Sequence, residues 1–192
     1  MAFKFTKIPS NTFQQLQMNA GIMLKNFDVA TGTFNESDML GATTGGVNFT
    51  SSPSFVDFGE DIDNCPKNTK ELKQIDQYDV KMSGTFVSAG TATAKMLTGA
   101  ADAENGKITP RQFLEAEDFA NIWWVGDYTN VNSGTNAGFI AIKLINALST
   151  SGFQIQTTDK GKGQFAFEFT GHYSIEDQDV VPFEIYVKEG TV

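Results

Sequence analysis

From Gly163 to Val187 apolar and polar residues alternate with almost no interruption. Phe165, Phe167 and Phe169 fall on one side of an extended strand, with Gln164, Ala166, Glu168 and Thr170 on the other. After the polar run Glu176 to Asp179, Phe183, Ile185 and Val187 alternate with Glu184, Tyr186 and Lys188. Two such segments around a polar turn predict an antiparallel pair with its Phe/Ile/Val face on a core and its other face wet. Upstream, Tyr78, Val80, Met82 and Phe86 alternate with Asp79, Lys81, Ser83 and Thr85, and Gly84 occupies the core row. A glycine there predicts a bulge or a close packing neighbour.

Other segments read less directly. Gly21 to Leu24 is a short apolar run suited to a buried strand. Ile122 to Gly126 and Phe139 to Ile145 read as central strands, with a helix over 137–148 as the competitor for the second and a polar loop at 129–136 between them. Ala89, Ala92, Met96, Leu97 and Ala100 recur at helical spacing after Ser88, and Asn105-Gly106 stops the pattern, which predicts one helix over 88–103. From Lys25 to Gln77 the composition turns to Gly, Ser, Thr, Asn and Asp, with apolar islands at Val47–Phe49 and Phe55–Phe58. The turn formers Thr50 to Ser54 between those islands predict a projecting hairpin, so 25–77 reads as an arm.

The chain has 192 residues, a length that fits one domain over 1–192, and 17 Phe supply much of its core. Each Phe buried contributes about 1.5–3 kcal/mol before entropy. The net charge of −9 argues against ordinary nucleic-acid binding, which depends on clustered Lys and Arg. No apolar run follows Lys4 and Lys7, and no stretch is long and apolar enough to span a bilayer, so the chain is expected to begin in a cytoplasm without inserting in a membrane. Cys65 stands alone, which excludes an internal disulfide and a multi-cysteine zinc site.

Candidate chemistry is sparse. Gly161 to Ala166 has the spacing of a dinucleotide-binding turn, but that turn opens a helix and here a strand follows, so a hairpin turn is expected. Glu60, Asp61 and Asp63 carry oxygens suited to calcium, yet Cys65 and Pro66 stand where an EF-hand loop needs a ligand and a glycine, so a solvated acidic loop is expected. His172 is the sole histidine, and nothing local pairs it with Cys65 as a nucleophile. Trp123 and Trp124 are adjacent on a strand and point to opposite faces, so they cannot form one sugar-stacking platform. One of them is expected in the core and the other as an interface or surface residue. No enzyme and no cofactor is expected. What remains is a sandwich with open sheet edges, which subunits can close by pairing with one another.

Several segments carry a family resemblance: Leu40 to Phe49 (LGATTGGVNF), Gly59 to Leu72 (GEDIDNCPKNTKEL), Asp118 to Tyr128 (DFANIWWVGDY) and Ala141 to Val187, above all TTDKGKGQFAFEFTGHYSIEDQDVVPFEIYV. In these the chain resembles the major tail tube proteins of long-tailed phages and prophages of Gram-positive bacteria. The resemblance implies a mainly β fold, a β-sandwich or partly closed barrel of antiparallel strands flanked by one α-helix with a long projecting arm, shared in outline with the type VI secretion tube. It implies a structural virion protein whose homo-hexameric rings stack into a hollow tube around a tape-measure protein. A tail terminator and distal tail or baseplate proteins would cap the tube, which is assembled in the host cytoplasm and through which DNA later passes. The arm residues Val47, Phe49, Phe55, Phe58, Asp61 and Asp63 would then reach the neighbouring ring. Gln164, Glu168 and Thr170, on the wet side of their strand, would line the lumen. A cationic lumen would bind each phosphate, whereas an acidic or neutral one presents no such sink. The alternative is a carbohydrate-binding or adhesive β-sandwich using an exposed Trp.

Overall fold

A computed structural model describes residues 7–17, 19–127 and 138–189. Its elements are β1 (Ile22–Leu24), β2 (Met39–Gly41), β3 (Thr43–Asp57), β4 (Lys73–Phe86), α1 (Thr91–Thr98), β5 (Ala101–Glu104), β6 (Lys107–Pro110), β7 (Ala120–Asp127), β8 (Phe139–Ser149), β9 (Phe165–Thr170) and β10 (Phe183–Lys188), with four short 3-10 turns. The protein is mainly β, its strands are antiparallel, and α1 is the one α-helix among the described residues. The expected polar loop at 129–136 lies outside the described residues.

The main sheet runs β2-β1-β7-β8-β9-β4-β3, with β10 also paired to β8. The run Phe139 to Ile145 is therefore strand, and the competing helix is ruled out for the described residues. The β-branched Ile140, Ile142 and Ile145 with the bulky Phe139 and Leu144 favour the extended form. β8 divides the sheet. Its Phe139 to Leu144 pair with β10, and its Leu148 and Ser149 pair with β9. Two half-sheets, one with β2, β1, β7 and β10 and the other with β9, β4 and β3, thus share one strand.

Their facing sides enclose the larger apolar cluster, in which Met23, Ile122 and Leu144 meet Val80, Met82, Phe86, Phe167 and Phe169. The alternation read from the sequence is realised here. Phe167 stacks on Phe86 with ring centroids 4.4 Å apart, and Gly84 leaves room for it: a Cβ at Gly84 would lie 2.8 Å from Phe167 Cζ. The glycine is the close packing neighbour of the expected pair. A second cluster lies on the other face of the β1-β7-β8 half, where Leu24, Trp123, Val125, Phe139 and Ala141 are covered by Phe27, Val29 and Tyr186.

Four expectations are corrected. β9 and β10 are not partners; both run antiparallel to β8, one after the other along the same edge. On β10 only Phe183 reaches the main core, while Ile185 and Val187 stay more than half exposed and Tyr186 packs against Trp123. The second apolar layer attracts the face that alternation alone assigns to water. The helix is shorter than 88–103: it runs Thr91–Thr98 from Gly90, and Ser88 instead accepts the Ala42 N–H. Residues 101–104 leave the helix as β5, because Asn105 and Gly106 both adopt positive φ, the geometry of a two-residue hairpin turn.

The fourth correction concerns the arm. Thr50 to Ser54 is no turn but the middle of β3, which pairs with β4 from Thr43 to Asp57. Pro53 is tolerated because β3 is an edge strand and its missing donor faces away from the ladder. The projecting part is the distal β3-β4 hairpin, closed at 58–72 by Phe58 N–H to the Leu72 carbonyl. Residues 25–42 belong to the body through β2 and the second cluster.

Phe167 is 3 % exposed, so Phe167→Asp places a carboxylate among rings that offer it no partner. The expected loss exceeds about 4 kcal/mol and prevents folding. Urea denaturation checks this, and a variant with native stability would reverse the assignment of faces.

Candidate functional site

The outer face of the β3-β4-β9 half is polar along its whole width. Cross-strand partners share a face, so the register assembles three rows. Thr50, Lys81 and Thr170 form one, Asn48, Ser83 and Glu168 the next, and Thr44, Thr85 and Ala166 the third. Ser52 and Asp79 extend the first two strands. Thr150 joins the face by bonding Thr170 Oγ1 at 2.9 Å and Glu168 Oε1 at 3.3 Å. Leu148, opposite Thr170, is the large apolar side chain at its margin.

Its charges nearly cancel. Asp79 and Lys81 form an ion pair at 3.4 Å, which leaves Glu168. Hydroxyls and amides dominate the rest, so most of the chain's net negative charge lies elsewhere. α1 does not lie over this face: its Leu97 is buried in the inter-sheet cluster, and its contacts are with β5, β6 and β8. At the far side β3 is the terminal strand of the sheet. Along it, Gly45 and Gly46 form a two-residue bulge, and Pro53 interrupts the donors further on, so Val47 to Ser52 present an unpaired run of backbone groups.

The residues singled out for the lumen separate here. Glu168 and Thr170 are on this face, half-buried; Gln164 precedes β9, exposed, in a bridge with Gln156. That bridge, with a turn at Thr158 to Gly161, gives the Gly161 segment hairpin-like geometry ahead of the strand. Thr44, Asn48, Thr50 and Ser52 were missed, because 25–77 reads as an arm and Thr50 to Ser54 within it as a turn. Their alternation with Val47, Phe49 and Ser51 is the signal that finds them.

The arm candidates also divide. Val47 and Phe49 pack against the main core. Phe55, Phe58, Asp61 and Asp63 are exposed on the distal hairpin. An extra residue, Asp76, in β4 shifts the register so that Ser54 faces Gln77 and Phe55 faces Ile75. The arm therefore carries an exposed Phe55-Ile75 pair with Lys73 Nζ 4.9 Å from the Phe55 ring centre. Its tip is organised by Asp57, whose Oδ1 accepts the Gly59 amide at 2.9 Å and Oδ2 the Asn68 amide at 2.8 Å. These amides favour the ionised form and hold the Asp57 carboxyl below its ordinary value, the Asn68 bond contributing most.

Other sequence candidates have structural roles. His172 Nδ1 pairs with the Asn146 carbonyl at 3.0 Å, so that nitrogen carries the proton, and its ring packs edge-on to Phe119. Cys65 is half-buried in the arm tip beside Thr69 Oγ1, far in sequence and element from His172. Trp123 is buried between Phe27 and Tyr186, and Trp124 is half-buried with its indole N–H donating to the Ala20 carbonyl. Trp123 is the core member of the pair, and Trp124, half-buried, is the one nearer the surface. No group of three or more His, Cys, Asp or Glu side chains converges as a metal site among the described residues, and no described helix is long and apolar enough to cross a membrane.

Compared with known proteins, the chain matches no family model and no curated protein.

Because the folded value of Asp57 is depressed, its support of the arm tip is complete above the unfolded carboxyl value of about 4 and is lost as pH falls through the folded value. Hydrogen exchange, corrected for intrinsic rate, should show the Gly59 and Asn68 amides protected at pH 6 and released toward pH 2. Asp57→Ala should release them at pH 6; unchanged protection in that variant contradicts the assignment.

Proposed function

We propose that this protein is a self-assembling structural subunit, the major tail tube protein of a phage or prophage, whose polar sheet face forms the wall of a DNA conduit. The observation that carries this reading is the uncovered polar face of the β3-β4-β9 half, bounded by an open edge at Val47 to Ser52. An isolated soluble sheet needs such an edge blunted, and closure of copies into a ring satisfies it. The family resemblance supplies the ring of six, the stacking of rings and the tape-measure protein within. It places the working protein in the virion tail after assembly in the host cytoplasm.

The chemistry of the wall suits passage of a polyanion. Lys81 is neutralised by Asp79, and the remaining side chains offer hydroxyls and amides that exchange hydrogen bonds with water as readily as with phosphate. Nothing on this face concentrates the positive charge that retains DNA.

Electron microscopy of the concentrated protein should show rings or hollow tubes; persistent monomer there, together with a virion shaft lacking this chain, would overturn the reading. Virions carrying Glu168→Lys should assemble and release DNA several-fold more slowly, an effect relieved by added salt. Unchanged release would remove Glu168 from the wall.

A further inference from the structure

Asn105 is the one asparagine of the sequence that precedes a glycine. The pair forms the two-residue turn of the β5-β6 hairpin, where Glu104 faces Lys107 and Asn105 and Gly106 take φ of +50° and +81°. Both residues are exposed, and a Cβ placed on Gly106 would meet nothing within 4 Å. Among the described residues neither the Asn105 side chain nor the Gly106 N–H has a hydrogen-bond partner. A side-chain amide carbon and the next backbone nitrogen therefore stand together, unhindered and open to water.

The base of the same hairpin is fastened by one guanidinium. Arg111 follows β6, and its N–H donates to the carbonyl of Ala100, which precedes β5. Its Nε lies 2.9 Å from Asp102 Oδ1 on β5, an ion pair that joins the two strands. The other guanidinium nitrogens reach onward: Nη1 to Glu115 Oε1 at 3.0 Å and the Phe113 carbonyl at 3.2 Å, Nη2 to Asp118 Oδ1 at 2.7 Å. The Asp118 side chain is fully buried. Asp102 thus ties the hairpin to the segment that leads into β7.

The turn holds the reactants of one intramolecular step. Attack of the Gly106 nitrogen on Asn105 Cγ forms an N–Cγ bond and breaks the Cγ–Nδ2 bond. The displaced nitrogen leaves as ammonia, taking the proton of the Gly106 amide, and a five-membered succinimide remains. Water then opens the ring. Addition at Cγ gives aspartate on the original backbone, and addition at the Asn105 carbonyl carbon gives isoaspartate, in which the chain runs through Cβ and Cγ. One water is consumed and one ammonia released, and nothing is oxidised. Glycine favours the attack because it has no Cβ to crowd the nitrogen. Every other asparagine of the chain is followed by a residue with a side chain.

The closed turn keeps these reactants out of line. Both φ angles are those of a type I′ turn, whose first central residue has ψ of about +30° and so sets the next nitrogen nearly opposite Cβ. Ring closure needs that nitrogen on the Cβ side, and the pairing of Glu104 with Lys107 prevents the rotation. Conversion therefore proceeds from the opened hairpin, a state that the Asp102/Arg111 ion pair disfavours. Return is blocked once isoaspartate forms, because its main chain is one atom longer and the two-residue turn no longer closes in register.

We propose that Asn105 is a modification site of this protein, where the β5-β6 turn converts through a succinimide to isoaspartate at a rate set by hairpin opening, releasing Asp102 from Arg111. The proposal is independent of the tube reading, and its test uses no assembly readout.

The whole chain is held at mildly alkaline pH, which favours loss of the amide proton, and sampled by peptide mass mapping with isoaspartyl methyltransferase labelling. Isoaspartate should accumulate at residue 105 at least about tenfold faster than at any other asparagine. Its absence there, or equal conversion elsewhere, overturns the site. The same chain unfolded in urea gives the ungated rate, and the folded chain should convert at least about tenfold more slowly. Asp102→Ala, a change at a largely exposed carboxylate, should keep the fold and speed conversion about two- to fivefold. Equal rates folded and in urea, or a wild-type rate in Asp102→Ala, overturn the gating. Hydrogen exchange on the converted fraction should show the β5 and β6 amides deprotected while the β3-β4 ladder keeps its protection. Full protection of β5 and β6 after conversion overturns the release.

Discussion

The bulge at Asn146, within β8, is the constraint on which the rest of the structure depends. Asn146 adopts φ +48°, a left-handed conformation that asparagine tolerates better than most residues. Four hydrogen bonds hold it there. Its amide donates to Asn121 Oδ1, its side-chain amide to the His172 carbonyl, and its own carbonyl accepts from His172 Nδ1; the His172 amide donates to the Ile145 carbonyl. At this point β8 stops pairing with β10 and begins to pair with β9. Without it the two half-sheets would not face each other, and the Phe rows of one would have nothing to cover.

This accounts for the placement of the chain's single histidine. It joins the strand that passes between the half-sheets to the segment that follows β9. One nitrogen of His172 is engaged by the Asn146 carbonyl and its ring leans on Phe119. The same region accounts for the misreading of β9 and β10. Local alternation predicts that each is a two-faced strand, which is correct. It contains no information about a third strand, β8, long enough to accept both along one edge, so adjacency in sequence was mistaken for pairing.

What was legible follows the strength of the local rule. The Phe165-Phe167-Phe169 row and the Val80-Met82-Phe86 row were visible because an alternating pattern has only one way to bury its large residues. Gly84 was visible as a packing position because it interrupts such a row. On β10 the rule failed at Ile185 and Val187, since Trp123 supplies a competing apolar surface for Tyr186 on the opposite side. Turn composition failed twice for a related reason. Thr50 to Ser54 is rich in turn formers, but the β4 ladder holds it extended, and Asn64 and Asn68 take the positive φ angles of the tip instead. Asn105-Gly106 was read as a helix stop although the pair is itself the stronger hairpin signal. The polar face was half legible: its β4 and β9 rows could be read from alternation, its β3 row was hidden in the supposed arm. The Arg111 cluster left no trace in sequence, because its four partners come together only once β5, β6 and the turn before β7 are folded.

The distribution of charge bears on function more than the total does. A net charge of −9 spread evenly would make every surface repel DNA and every copy repel its neighbour. Instead the polar sheet face is nearly balanced, and acidic residues gather at the arm tip (Glu60, Asp61, Asp63), the run Glu176 to Asp179, and the segment carrying Glu115 and Glu117. Repulsion between those sites is relieved wherever one copy presents a lysine to another. The screening length of about 8 Å at physiological salt makes such contacts local. On the tube reading proposed above, copies would approach through matched acidic and basic spots, and a face that is neither strongly basic nor strongly acidic would border water and a passing polyanion.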